Sequence, residues 1–232
     1  MTNVALLIGN TQYQNCSALE GCDDDVYALE ELVKATQKFN VIEIALNHSA
    51  AKLKSKIRSA LEPATSLSEM FLYYSGHGAY SDDFYICCTD YDAKRPNVTG
   101  LSTDELHAMI REANPGLFVK VVDACNSGQP LIKSDVSAIM SKAPIRDYIQ
   151  IASCLVTQLS LTGERLSEFT SSFINASLTE TDGPVYYSDI INILKDSYLS
   201  NHDQTPHFLV QGTLRAKFVD SCRLLDGVPI WM

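Results

Sequence analysis

The sequence predicts an α/β protein with a mostly parallel central sheet of about six strands and helices on both faces. Short apolar runs that stop at turn residues alternate with stretches whose apolar side chains recur at helical spacing. Such alternation is typical of parallel strands joined by covering helices. The chain has 232 residues, of which 46% are hydrophobic, and this is enough for one domain with a full core.

The first half of the chain alternates regularly between predicted strands and helices. Residues 4–8 form an apolar run that stops at Gly9-Asn10, which indicates a buried strand followed by a turn. Residues 22–38 combine helical spacing with three aspartates at the start, where the helix dipole favours acidic side chains. The further predicted elements are strands at 41–46, 70–74, 84–88 and 117–122, a helix at 49–61 closed by Pro63, and a helix from Ser102 with a capping box.

The alternation stops at residues 129–147, which hold two prolines, three basic residues and few strong apolar runs. We predict an exposed linker there, between a larger part (residues 1–128) and a smaller part (residues 148–232) of a single domain. The smaller part resumes the pattern with predicted strands at 149–152 and 207–212 and predicted helices at 166–178 and 188–199.

The net charge and the cysteines limit which binding partners and which cellular compartment we expect. The formal net charge of −10 argues against a nucleic-acid partner, because binding to phosphates needs clustered lysine and arginine. The seven cysteines are odd in number and irregularly spaced, which indicates a reduced protein and a cytoplasmic location. The amino terminus lacks the features of a signal peptide, and no apolar stretch approaches the ~20 residues of a membrane-spanning helix, so we expect no membrane partner.

A histidine and a cysteine follow two predicted strands at corresponding positions. His77, in YYSGHG, follows the strand at 70–74, and Cys125, in VVDACNSG, follows the strand at 117–122. Parallel sheets bind ligands beyond the carboxyl ends of their strands, so we expect the two side chains to meet. An adjacent imidazole promotes the thiolate, which is the nucleophilic form. Gly78 lets the backbone approach a substrate, and the N–H groups of Gly78 and Cys125 are candidate donors to an oxyanion.

Four motifs resemble those of the caspase clan, and more closely those of its metacaspase and orthocaspase branch. VALLIGNTQY resembles the first strand and turn of that branch, and LEGCDDDVYAL resembles its L-x-G-C-x-x-D block. YYSGHG matches the histidine motif, and DACNSG resembles D-x-C-H-S-G with Asn126 in place of the usual histidine. LSEFTSSFINAS and DQTPHF are weaker matches further along, so the resemblance covers most of residues 4–210.

The resemblance implies a caspase-like three-layer sandwich and a cysteine endopeptidase. The larger and smaller parts then correspond to p20-like and p10-like portions. Cys125 is implied as the nucleophile, His77 as the general base, and Gly78 as an oxyanion-hole donor. Asn126 adjoins the nucleophile without replacing a member of the dyad, so we expect an altered rim and a functional enzyme.

The resemblance also implies an acidic specificity pocket. Asp25 and Asp123 match the acidic pocket residues of metacaspases, and Cys22 and Ser75 lie beside them. Two carboxylates in a partly desolvated pocket favour a cationic guest, which predicts cleavage after arginine or lysine. Among the three consecutive aspartates 23–25, only the family spacing selects Asp25, and the alternative for Asp25 is an ordinary charge at a helix end.

Further expectations concern maturation, cofactors and partners. In this clan the segment after the catalytic cysteine is often cut, so Lys133, Lys142 and Arg146 are candidate self-cleavage sites, or else loop residues that aid solubility. No cofactor is required by the sequence, and calcium is a family-level candidate, although the acidic clusters at 23–25 and 82–83 do not form an EF-hand loop. We expect a protein substrate with a basic cleavage site. We also expect a regulatory or sensor domain or subunit, and by analogy a regulated role in defence or programmed cell death.

Other readings stay open at this point. The chain could be a catalytically silent, caspase-shaped interaction module, or an active protease that cleaves after aspartate or a small residue. A nucleotide-binding domain is disfavoured, because the sequence has neither GxGxxG nor GxxxxGK[ST]. We predict no metal site, since the remaining histidines show no ligand spacing and are expected at the surface or at an edge: His48, His107, His202 and His207.

Overall fold

The computed structural model describes residues 1–62, 67–124, 145–153, 165–179, 183–201, 204–212, 215–221 and 228. In chain order, the strands are β1 (Thr2–Gly9), β2 (Val41–Leu46), β3 (Leu67–Ser75), β4 (Gly78–Tyr80), β5 (Phe84–Cys87), β6 (Gly100–Ser102), β7 (Leu117–Asp123), β8 (Tyr148–Ala152), β9 (Val185–Tyr186), β10 (His207–Gln211) and β11 (Lys217–Val219). The helices are α1 (Cys22–Ala35), α2 (Ala50–Leu61), α3 (Pro96–Thr99), α4 (Thr103–Ala113), α5 (Glu168–Ser177) and α6 (Tyr187–Ser197).

Six strands form the central sheet in the order β10-β8-β7-β3-β1-β2. Neighbouring strands run parallel except for β10, which pairs antiparallel with β8. The sequence of β3, LSEMFLYYS, is almost continuously apolar because β3 is central and covered on both faces. Two smaller sheets lie outside this one, β4-β5-β6 and β11-β9. The predicted mostly parallel sheet of about six strands is confirmed.

The two faces of the sheet carry separate hydrophobic cores. Alternate residues of each strand point to opposite faces, so Tyr73 packs on one face and Tyr74 on the other. Apolar side chains of α1, α5 and α6 fill the core on the Tyr73 face, and those of α2 and α4 fill the core on the Tyr74 face. Helices therefore cover both faces of the sheet, as the sequence predicts.

Each predicted element is present, and all except the strand at 41–46 have shifted ends. The predicted helix at 22–38 ends at Ala35, because Thr36 caps it and Gln37 takes a left-handed conformation with φ of 52°. The predicted capping box at Ser102 is seen in part, since the Ser102 hydroxyl accepts the backbone N–H of Glu105 at 3.1 Å. The shortest elements are not predicted from the sequence: β4, β6, β9, β11 and α3.

The prediction that His107 lies at the surface or at an edge is wrong. His107 is only 2% exposed, and its ring contacts those of Phe118 and Tyr148 edge-on at centroid distances of 5.9 and 5.5 Å. It lies one turn before Ile110 on the buried face of α4, which brings it against β7 and β8. His48 is partly exposed, His207 lies on the edge strand β10, and His202 is outside the described residues.

A close helix–strand contact places α1 at the carboxyl edge of the sheet. A Cβ atom at Gly9, the last residue of β1, would lie 2.8 Å from both the Cys22 carbonyl oxygen and Val26 Cγ2. Only glycine therefore allows α1 to pack this closely on the end of β1. The first turn of α1, which contains Asp25, lies beside the ends of β1 and β3 as a result.

Candidate functional site

The SGHG turn leaves the central strand β3 and leads directly into β4. A Cβ atom at Gly76 would lie 2.8 Å from the Tyr13 hydroxyl, so no larger residue fits there. The carbonyl of His77 accepts the Tyr74 hydroxyl at 2.6 Å and the backbone N–H of Cys87 at 3.0 Å. These contacts hold the backbone of His77 at the carboxyl edge of the sheet, where the sequence predicts it.

Tyr13, for which the sequence predicts no role, contacts both the backbone and the ring of His77. Its hydroxyl accepts the backbone N–H of His77 at 2.9 Å and donates to the Asn10 carbonyl at 3.0 Å. The two rings lie 4.7 Å apart between centroids. Nothing in the periodicity reveals this contact, because it joins a loop after β1 to a turn 64 residues later.

A backbone carbonyl orients the imidazole of His77. The Nε2 atom lies 3.0 Å from the carbonyl oxygen of Ser17. A carbonyl oxygen can only accept a hydrogen bond, so Nε2 carries the proton in the neutral ring. The lone pair is then on Nδ1, and this nitrogen is the one able to act as a base. The carbonyl of Ser17 thereby selects the tautomer.

Cys125 lies outside the described residues, and its contact with His77 stays a prediction. The chain leading to it is described as far as Ala124. Asp123 is aligned with Ser75 on the neighbouring strand β3, and its carbonyl accepts the Gly76 N–H at 3.2 Å. The strand before Cys125 therefore ends beside the SGHG turn. Gly78 is partly exposed at the start of β4, and its role as an oxyanion donor likewise stays a prediction.

Two carboxylates are buried together beside this turn. Asp25 is 2% exposed and Asp123 is 3% exposed. Asp25 accepts the Ser75 hydroxyl at 2.8 Å and the Ser167 backbone N–H at 2.9 Å. Asp123 accepts the hydroxyl of Ser167, and that of Thr170 at 3.2 Å. Ser167 thus bridges two acidic residues that belong to different segments of the chain.

The three consecutive aspartates have different environments. Asp24 is exposed and Asp23 is partly exposed, whereas Asp25 is buried. Asp25 follows the left-handed Gly21 by one helical turn, and its backbone N–H donates to the Gly21 carbonyl at 2.9 Å. The residue that the family spacing selects is therefore the one that lies inside the protein.

Burial and the neighbouring charge weaken the acidity of this cluster. Burial, followed by repulsion from Asp123, raises the pKa of Asp25 to about 7, although the hydrogen bonds from Ser167 and Ser75 oppose the rise. Burial raises the pKa of Cys22 to about 12, and the nearby Asp25 and Asp123 add to this effect. Cys22 is therefore a neutral thiol at physiological pH, and Asp25 is poised between its charged and neutral forms.

The amino terminus of α5 completes the acidic cluster, and the sequence analysis does not predict this. Ser167 caps α5 by accepting the Thr170 backbone N–H at 3.0 Å, and the partial positive charge of the helix start faces the two carboxylates. The hydroxyl of Thr170 also lies 2.5 Å from that of Tyr73. A serine before an acidic first turn is an N-cap signal in the sequence, but it does not reveal what the cap contacts.

Only one of the three candidate self-cleavage residues lies in the described part of the chain. Arg146 is exposed, two residues before β8, whereas Lys133 and Lys142 are outside the described residues. The described residues contain no group of three or more histidine, cysteine, aspartate or glutamate side chains arranged to hold a metal ion. None of the helices in the described ranges is long and apolar enough to span a membrane.

Comparisons with known proteins identify relatives of the chain. The model of the caspase domain family matches residues 2–219. Metacaspase-1 of Plasmodium falciparum (isolate 3D7) is 26% identical over an alignment of 151 positions, and the match covers 55% of this chain and 24% of that protein. The chain therefore matches only about a quarter of the length of this curated relative.

A solved structure has a similar fold. Protein GSU0716 from Geobacter sulfurreducens superposes with a TM-score of 0.70 at 20% sequence identity, over 95% of this chain and all of the other. This likeness supports the predicted caspase-like fold. The family match extends over nearly all of the chain, from β1 to β11, and includes His77, Asp25 and Asp123. The chain therefore belongs to the caspase domain family of cysteine peptidases, C14.

Proposed function

We propose that the chain is a cysteine endopeptidase that uses His77 and Cys125 and cleaves proteins after arginine or lysine. The observation that carries the specificity is the buried pair of carboxylates, Asp25 and Asp123, beside the SGHG turn. The resemblance of YYSGHG and DACNSG to the metacaspase motifs supports the catalytic roles.

The electrostatics of the pair favour a cationic guest. The contacts described on Asp25 come from hydroxyls and a backbone N–H, which stabilise a carboxylate without carrying charge. Burial and then repulsion from Asp123 raise the pKa of Asp25, so an incoming guanidinium or ammonium group relieves the repulsion and gains charge-assisted hydrogen bonds. An aspartate side chain in the same pocket adds a third carboxylate and is repelled.

The proposed chemistry follows from the tautomer of His77. The proton on Nε2 is directed to the Ser17 carbonyl, so Nδ1 accepts the proton of the Cys125 thiol. The thiolate attacks the scissile carbonyl carbon, and the N–H groups of Gly78 and Cys125 donate to the oxyanion. His77 then protonates the departing amine. Water, activated by the same imidazole, hydrolyses the thioester and restores the thiol.

A panel of fluorogenic peptides ending in arginine, lysine, aspartate or leucine tests this proposal. The panel is run with wild type, Cys125→Ala and Asp25→Asn, with and without calcium. We expect turnover of the arginine or lysine peptides by wild type and its loss in Cys125→Ala. In Asp25→Asn, KM for these peptides rises by about tenfold or more, because a charged contact is lost. Turnover of the aspartate or leucine peptide instead contradicts the acidic pocket and keeps the protease.

Silence with every peptide leads to a second measurement. Labelling by an arginyl electrophile is followed by peptide mass mapping, in a Cys16→Ser background because Cys16 is exposed. Labelling of Cys125 indicates a competent enzyme that lacks its activator, such as calcium or a regulatory subunit. Absence of labelling favours the alternative of a catalytically silent interaction module.

Self-cleavage and a regulated role extend the same proposal. If the pocket accepts basic residues, the purified chain cuts itself after Lys133, Lys142 or Arg146 under activating conditions, and Cys125→Ala stays intact. Intact mass measurement checks this, and an intact wild type under conditions of full peptide turnover contradicts it. A role in defence or programmed cell death, with a regulatory or sensor partner, rests on family analogy alone.

A further inference from the structure

The helix α2 is unusually basic for this chain. The protein carries a net charge of −10, yet the 12 residues of α2 contain four of its 18 basic residues and no acidic residue. Lys54 turns toward α4, where it pairs with Glu105 at 2.7 Å. Lys52 and Lys56 are one turn apart on the other side of the helix, where they line a cleft together with Glu43 of β2. A local cationic surface on an acidic protein indicates a partner of the opposite charge.

The lysines line a cleft of about 310 Å³ between α2 and β2. The other lining residues are mostly polar, and include His48 and Glu43, whose carboxylate pairs with Lys56 at 2.6 Å. Burial, followed by the charge of Lys52, lowers the pKa of His48, so the cleft is electropositive even with this histidine neutral. The volume is at the small end for ligand sites, and it suits side chains of a partner better than a bulky molecule.

The strand beneath the cleft is an edge strand of the central sheet. β2 is the last strand of the central sheet and pairs with β1 on its inner side. Among the residues that the structure describes, no strand pairs with its outer edge. An open edge presents a row of backbone donors and acceptors, and proteins commonly use such an edge to bind an extended segment.

The two faces of β2 have different chemistry. Glu43 points to the α2 face, toward Lys52 and Lys56, whereas Ile42 and Ile44 point to the α1 face and are only partly buried. A strand added beside β2 would place alternate side chains on these two faces. Acidic side chains fit the lysine face, where Lys52 and Lys56 outnumber Glu43, and aliphatic side chains fit the isoleucine face.

We propose that the outer edge of β2 binds, by strand addition, an extended segment of a partner protein in which acidic and aliphatic residues alternate. None of the residues that line the cleft belongs to the proposed active site. It does not depend on the peptidase activity.

Binding of labelled peptides to the full chain tests the proposal by fluorescence anisotropy. The probes are an octapeptide of alternating glutamate and valine, a peptide of the same composition with the glutamates in one block, and a single-stranded oligothymidine. The variant Lys52→Gln/Lys56→Gln removes two charges from the cleft. The matched control, Lys94→Gln/Arg95→Gln, removes two charges from an exposed loop elsewhere.

We expect the alternating peptide to bind more tightly than both other probes and to slow amide hydrogen exchange in residues 41–46. The cleft variant weakens this binding by about tenfold, and the control variant leaves it unchanged. Equal binding of the blocked peptide or the oligonucleotide overturns the proposal, because it indicates a general polyanion surface. An equal loss in the control variant, or no binding of the alternating peptide at about 1 mM, also overturns it.

Discussion

The hydroxyl of Tyr13 accepts the backbone N–H of His77 at 2.9 Å while its ring lies 4.7 Å from the imidazole. The same hydroxyl donates to the carbonyl of Asn10, just beyond the end of β1. The Tyr13 hydroxyl therefore links the turn that carries the proposed general base to the residue that follows strand β1. This makes Tyr13 a positioning residue for His77 under the proposed function.

Tyr13→Phe is expected to lower kcat by about tenfold with little change in KM. The substitution keeps the ring and removes the hydroxyl, which leaves the His77 N–H without its acceptor and costs about 1–3 kcal/mol if the turn does not relax. Steady-state kinetics and thermal unfolding measure the two effects separately. Tyr80→Phe, on a half-exposed tyrosine of β4, is the control. Equal kcat in wild type and Tyr13→Phe contradicts the positioning role.

Relative to wild type, the free energy of unfolding of Asp25→Asn is expected to increase as the pH rises from about 4 to about 8. The pKa of Asp25 is raised from 3.8 to about 7 in the folded protein. Between these values the folded state retains a proton that the unfolded state has lost, so wild-type stability falls as pH rises through this window. The asparagine variant does not titrate and avoids this loss.

Urea unfolding of wild type and Asp25→Asn at pH 5 and pH 8 measures this effect. Asp24→Asn is the matched control, because Asp24 is exposed on the same helical turn. The free energy of unfolding of Asp25→Asn minus that of wild type should be larger at pH 8 than at pH 5. Stability differences that are the same at both pH values contradict the raised pKa of Asp25.

Lys38→Met is expected to lower the free energy of unfolding by about 2–4 kcal/mol. The ammonium group pairs with the buried carboxylate of Glu69 at 2.5 Å, and Tyr187 donates to that carboxylate at 2.6 Å. Removal of the lysine leaves a buried negative charge without its cation. Glu69→Gln in the same chain should recover more than half of the loss, since the amide stays neutral and still accepts from Tyr187.

Denaturant unfolding checks the Lys38 prediction against an exposed pair. Lys34 pairs with Glu30 and Glu31 at the surface of α1, so Lys34→Met should cost less than about 1 kcal/mol. If Lys38→Met costs as little as Lys34→Met, the ion pair between Lys38 and Glu69 contributes no more to stability than a surface pair.

Cys22 is expected to resist alkylation in the folded protein, in contrast to Cys16. Burial raises the pKa of Cys22 to about 12, whereas Cys16 is exposed. Iodoacetamide reacts with thiolates, so at pH 8 peptide mass mapping should find Cys16 modified and Cys22 intact. Both cysteines should react after unfolding in urea. Modification of Cys22 at the rate of Cys16 contradicts its burial beside the acidic pair.

The fold is largely readable from the sequence because long apolar runs determine it. The strand at 41–46 is predicted at its observed bounds, and the runs around Tyr73 and Val121 identify two of the central strands. The shortest elements are missed because two or three residues carry no periodicity, as in β9 and β11. His107 is wrongly predicted at the surface or at an edge, because the sequence pattern does not distinguish a polar residue on the buried face of α4 from one at the border of that face.

The site is less readable, because its contacts join distant segments. Asp25 is identified only through family spacing, since the helix dipole favours all three consecutive aspartates in the first turn of α1. Ser167 lies 142 residues from Asp25 in the chain, and its hydrogen bonds to Asp25 and Asp123 depend on how α5 packs against the sheet. Tyr13 shows no local signal for its contact with His77. Such contacts follow from the packing of whole elements, which no local pattern describes.

The bridge that Ser167 makes between Asp25 and Asp123 has a consequence for synthesis. The ribosome synthesises the segments of α1, β3 and β7 before that of α5. A partly synthesised chain therefore contains both aspartates but lacks the hydrogen-bond donors of Ser167 and Thr170. Two carboxylates in that state repel each other, and the pocket that we propose for basic residues is not assembled. Under the proposed function, the capacity to cut proteins is therefore withheld from the nascent chain until α5 has packed beside Asp25 and Asp123.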